Sequence, residues 1–141
     1  MDNKKFILGT IAGGVSFFFL GYLIYGIALM NFMSDHGGTA TGVQKTPEQF
    51  AWWALILGNL SLGALLSYIF LKWANVNSFA GGVGAAAVIC FFSSMSFDMV
   101  MLATSNIMDL TGAITDVVAF TVMGGIGGGI IGAVLGMGKK P

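Results

Sequence analysis

Four long apolar runs divide this chain and leave it few folds. They cover about residues 6–33, 50–73, 79–104 and 112–137, each 24 to 28 residues long. At 1.5 Å per residue such a run crosses roughly 30 Å of hydrocarbon with some tilt. A bilayer core offers no water to backbone N–H and C=O groups, so continuous apolar spans must be helical. The expected fold is therefore all-α: a four-transmembrane-helix bundle forming a single domain over residues 1–141, with the lipid bilayer as its main partner. Composition agrees. Only 9% of the 141 residues are charged, against about 25% in ordinary soluble domains.

The polar segments between the runs set the topology. Lys4 and Lys5 precede the first run, which is too long for a signal h-region and lacks a clear cleavage site; it reads as a retained helix. A polar loop at residues 34–49 holds Asp35, His36, Lys45, Pro47 and Glu48. Thr46-Pro47-Glu48-Gln49 predicts the start of the second helix, with Thr46 as cap and Gln49 reaching back. Trp52 and Trp53 at one end of that helix and Trp73 at the other match an aromatic belt. If the N-terminus is inside, Lys4, Lys5, Lys72, Lys139 and Lys140 lie inside and only Lys45 outside. That bias predicts an N-in, C-in arrangement. Asn31-Phe32-Met33 and Asn106-Ile107-Met108 end the first and third runs alike, which chance among glycine-rich apolar segments explains better than a duplicated hairpin.

Several functions are disfavoured by what the chain contains. It has no arginine and a net charge of zero, so no basic patch for nucleic acid. Its one histidine, His36, cannot assemble a nucleophile–base–orienter set, and Cys90 lies within an apolar run. An enzyme is not expected, nor a cofactor. Met30, Met33, Met95, Met99, Met101 and Met108 raise copper, but methionine is more often a core filler and no metal site is expected. The run Gly124 to Gly129 lacks the Gly-Lys-Ser/Thr ending of a phosphate loop.

Polar residues inside the spans are the candidates for function. Asp98 lies about seven residues, roughly 10 Å, from the outer end of the third helix. An intramembrane acid is destabilising by at least a few kcal/mol, so it faces the bundle interior or a wet cavity. It shares a face with Cys90, Ser94, Met101 and Ser105. Asp116 enters the fourth helix to nearly the same depth. Tyr25 on the first helix and Asn59 on the second complete a candidate polar layer of Asp98, Asp116, Tyr25, Asn59 and Ser94. No lysine lies in the membrane to neutralise two carboxylates, so a shared proton, an entering cation or water is expected there. The bland alternative is a protonated packing contact at Asp98 and a hydrated Asp116 near the interface.

Gly124, Gly128, Gly132 and Gly136 repeat every four residues, the small-residue pattern of close helix packing. Packing within the monomer, against Gly9, Gly13 and Gly14 or the Ala85-Ala86-Ala87 run, is favoured over a homo-oligomer face or a contact with another membrane protein.

The segment Phe18-Phe19-Leu20-Gly21-Tyr22-Leu23-Ile24-Tyr25-Gly26 resembles the first helix of small, uncharacterised bacterial four-helix membrane proteins grouped as a domain of unknown function. There a glycine is followed by an aromatic pair, typically Trp-Tyr; here Ile24 stands in the tryptophan's place beside Tyr25. Ser96-Phe97-Asp98-Met99, Thr104-Ser105-Asn106 and Leu110-Thr111-Gly112-Ala113 also look like that group. The resemblance implies a multi-pass protein of the bacterial inner membrane and no particular activity. Taken together, the expectation is a small conduit or sensor for a proton, cation or small solute around Asp98. The alternative is an accessory or assembly subunit that packs on other membrane proteins.

Overall fold

The computed structural model describes residues 1–138 and is an all-α bundle. Four helices are long and apolar enough to cross a membrane: α1 (Asn3–Ala28), α3 (Trp52–Ala74), α4 (Phe79–Thr104) and α5 (Leu110–Gly136). A short helix, α2 (Met30–Asp35), follows α1. Exposed apolar side chains cover the outside, including Trp53 at 73% and Trp73 at 71% exposure. Water would penalise such a surface; lipid does not. The protein is thus a multi-pass membrane protein.

Each long helix starts and stops for local reasons. Asp2, Ser78 and Asp109 cap α1, α4 and α5 by accepting from the N–H groups of Lys5, Gly81 and Gly112, which satisfies donors that a first turn leaves without partners. At the other end of α5, Lys5 Nζ donates to the Leu135 carbonyl at 2.9 Å. A cation there complements the negative end of the helix dipole. It also places the start of α1 beside the end of α5, so both lie at one end of the bundle, opposite the 34–49 loop. The lysine count behind the N-in, C-in arrangement includes Lys139 and Lys140, which lie outside the described residues.

Three sequence-based boundaries need correction. The run expected as one helix over 6–33 divides: α1 is regular to Gly21, widens into a π-helical stretch over Tyr22–Ala28, and stops before α2. The Leu29 N–H donates five residues back, to the Ile24 carbonyl, at 2.7 Å. The proposed helix start at Thr46 is a separate single turn of 3-10 helix, Pro47–Gln49, with the Thr46 N–H donating to Gln49 Oε1 at 3.2 Å. Phe50 leaves it extended, so α3 begins at Trp52 rather than 50. The fourth helix starts at Leu110 rather than 112, because Asp109 supplies its cap.

The helices pack in the order α3, α1, α5, α4. Helix α5 packs most heavily on α4 and next on α1, and α1 packs on α3; α3 touches α5 lightly and makes no comparable contact with α4. Helix α5 is the most buried: 56% of its most apolar 18-residue stretch is buried, against 22% in each other span. A duplicated hairpin would map the α1–α5 contact onto an α4–α3 contact, which this packing does not contain.

Glycine sets the close contacts. A Cβ on Gly128 would collide with Ala86, one on Gly124 with Cys90, and one on Gly132 with the Ser78 carbonyl. On α4 the matching buried residues are Gly82, Ala86, Cys90, Ser94 and Asp98, also four apart. The two rows therefore interlock as antiparallel ladders. Gly127 meets the Phe17 ring, and Gly13 lies against Gly63 with 2.9 Å to its Cα for an added Cβ. The buried cluster of Phe17, Leu66, Phe70, Ile131 and Leu135 fills the α1–α3–α5 seam toward the terminal end.

Candidate functional site

The α4–α5 ladder carries Asp116 to Asp98. Gly128 faces Ala86 and Gly124 faces Cys90; each step of four along one helix is matched by a step of four along the other. Two further steps bring Asp116 opposite Asp98, and their carboxyls lie within direct interaction range. Each acid is six residues from the loop end of its helix, Thr104 or Leu110, about 9 Å of rise.

Asp98 is 1% exposed and its Oδ2 has no hydrogen-bond partner among the described residues. A buried charge without a partner is strongly unfavourable, and a second carboxylate opposite makes it more so. The geometry holds two carboxyls that can share a proton. Tyr25 supplies the third group: it lies on the π-helical stretch of α1, near Asp116 but not hydrogen-bonded to it. A π turn shifts the side chains that follow it around the helix axis, and such turns recur at functional sites.

The remaining members of the expected layer are placed elsewhere. Ser94 is buried one turn from Asp98, but its Oγ donates to the Cys90 carbonyl on its own helix at 2.9 Å. Asn59 likewise donates to the Leu55 carbonyl of α3 at 2.8 Å. Asn59 does not join the carboxyls. It lines, with Tyr25, a half-open cavity of about 690 Å³ between α1, α3 and α5 at the loop end, with Tyr22 and Trp52 of its wall exposed. The cavity lies beyond the fully buried core, with Phe17 and Met123 of that core on its wall. Tyr25 is thus the residue common to cavity and acid pair.

A second polar contact was not foreseen in the sequence. His36 Nδ1 lies 2.7 Å from Asp109 Oδ2, while Asp109 Oδ1 accepts from the Gly112 N–H at 2.7 Å. The Asp109 N–H donates to the His36 carbonyl at 3.1 Å, and the Ala40 N–H to the Asn106 carbonyl at 2.9 Å. The 34–49 loop is therefore fastened to the α4–α5 turn. The Gly112 N–H, then the His36 ring, hold the Asp109 carboxyl below the usual carboxylate range. A cap residue in contact with a residue 73 positions away has no local spacing to announce it.

No group of three or more His, Cys, Asp or Glu side chains capable of holding a metal occurs among the described residues. Comparison with family models, curated proteins and solved structures yields no match to this chain.

Proposed function

We propose that this protein is a proton- or cation-responsive conduit or sensor of the bacterial inner membrane, working through the Asp98–Asp116 pair. The observation that carries this reading is the buried Asp98 Oδ2, left without a partner and facing a second carboxyl. Intramembrane ionisable groups are strongly disfavoured and are retained where they move or sense charge. No lysine among the described residues acts on the pair, so its charge changes only by gaining or losing a proton or a cation. Tyr25 supports access from the cavity side, since it borders both. The multi-pass architecture and the N-in, C-in lysine bias fit a plasma-membrane location.

The accessory-subunit alternative relied on a free glycine face. The glycines of α5 face α4 and α1 within this chain, so that reading would need another surface.

Infrared titration of the carboxyl band in lipid tests the proposal. Wild type should titrate as a coupled pair over two steps, and Asp98→Asn and Asp116→Asn should each leave one uncoupled step. A wild-type band that is indifferent to the Asp116 change would overturn it.

A further inference from the structure

The cavity beside Tyr25 has the chemistry of a binding site for a particular kind of molecule. Its walls are largely aromatic: Phe18 and Tyr22 from α1, Phe50 just before α3, Trp52 at its start, Phe120 from α5. About 690 Å³ is the size range of a small-molecule pocket. The residues on its wall also bring the Tyr22 hydroxyl, the Trp52 indole N–H and the amides of Gln44 and Asn59 beside Tyr25. Helix α5 ties it to the acids, because Phe120 sits one turn along the same helix from Asp116.

Two independent properties of this place favour a cation. Aromatic faces attract positive charge, most of all where water is excluded. Behind Tyr25 stand two carboxyls, one with a fully buried and unpartnered oxygen, and no lysine among the described residues of the bundle lies near them. An anion would meet only repulsion; a neutral apolar molecule would ignore the acids. A small hydrated metal ion would gain little from apolar walls. A bulky organic cation whose charge is spread over apolar groups satisfies both walls and acids.

We infer that the cavity between α1, α3 and α5 binds a lipophilic organic cation, such as a quaternary ammonium or phosphonium ion, against the Tyr25–Asp116–Asp98 relay. This rests on the acid-pair reading above and names the ligand class for it. Arrival of the cation displaces the proton shared by the pair, so one positive charge enters as one leaves. Tyr25 of α1 faces the pair, Tyr22 of α1 is on the cavity wall, and Lys45 follows the wall residue Gln44 in the 34–49 loop. Helix α3 carries its titratable groups, Tyr68 and Lys72, toward its far end.

The test uses two ions of matched size and opposite charge, tetraphenylphosphonium and tetraphenylborate, with full-length protein in detergent. Equilibrium dialysis measures binding and a pH indicator measures proton release. Phosphonium should bind at least about tenfold more tightly than borate and should release a proton. Gly21→Leu fills the cavity without a clash, since an added Cβ would meet only the Met123 sulfur at 4.0 Å. It should weaken phosphonium binding about tenfold while leaving the infrared coupling of the acids intact. Asn59→Phe, from the opposite wall, serves if the first variant does not fold. Asp116→Asn should weaken binding and abolish the release. Equal binding of both ions, or binding indifferent to the cavity-filling variants, overturns the ligand class. If coupling persists while phosphonium does not bind, only this inference falls. If the wild-type acids prove uncoupled, the parent reading falls and takes this one with it.

Discussion

Asp98 is a liability to the stability of the bundle. Its Oδ2 lacks a partner in a site that is 1% exposed. An unsatisfied buried polar group costs about 1–3 kcal/mol. Asp98→Asn brings an N–H donor to Asp116 in nearly the same volume, so it should stabilise the protein by about 1 kcal/mol. A raised unfolding temperature in detergent, together with lost coupling in the infrared titration, is the expected pair of results. A lowered temperature would show that the native pair is already satisfied. Asp109 behaves in the opposite manner. The Gly112 N–H and then His36 hold its carboxyl below the usual range, so it stabilises the fold when ionised. That contribution is complete above the ordinary carboxylate value of about 4 and is lost as pH falls through the lowered one. Thermal unfolding should thus be flat in this respect from pH 7 to 5 and should weaken below 4. Asp109→Ala should flatten the acid limb and lower the plateau.

Among the elements, α5 carries the argument, because its glycine row determines which residues of α4 it meets. Gly128→Leu would drive a side chain into Ala86 and the Gly82 carbonyl. Overpacking of this kind costs about 1–3 kcal/mol, and any parting of the helices also separates Asp116 from Asp98. Gly84, on the same α4 but with nothing within 4 Å of an added Cβ, should accept leucine with little change in unfolding temperature. Loss of both stability and carboxyl coupling in the first variant alone is the expected outcome. This contrast also marks what could be read from sequence. Long apolar runs and four-residue spacings are periodic, so the spans, the glycine row and the Cys90–Ser94–Asp98 face are visible in one dimension. The end of α1 is not. Nothing in Tyr22-Leu23-Ile24-Tyr25-Gly26 signals hydrogen bonds five residues apart, because no proline or charge interrupts the run. The capping pattern at Thr46 is real as local chemistry, yet it closes a single turn, since Phe50 is extended and Ala51 non-helical before α3.

For the whole molecule, the packing order matters more than the count of helices. With α5 central and α3 held away from α4, the seam at the loop end stays open and a cavity forms there. No sequence spacing could announce that order, because the spans are apolar round most of their circumference and the few polar and glycine faces do not name their partners. The 34–49 loop closes the arrangement. It reaches from His36, bound to Asp109, to Gln44 on the cavity wall, and a Cβ on Gly38 would strike the Asn106 carbonyl. Gly38 also sits at φ 69°, in the left-handed region that glycine enters without strain. The loop is thus fitted to the α4–α5 turn by backbone contact, with the histidine as its one side-chain fastening. His36→Ala should release it while leaving the membrane core untouched. Amide hydrogen exchange at Ala40, whose N–H donates to Asn106 at 2.9 Å, should quicken by tenfold or more, as local opening becomes easier. Exchange within α4 and α5 should stay as it is. If the cavity is entered past this loop, tetraphenylphosphonium should also bind faster to the variant, with its equilibrium affinity little changed. Unchanged exchange at Ala40 would mean that the backbone contacts alone hold the loop, and that His36 serves only to support the cap of α5.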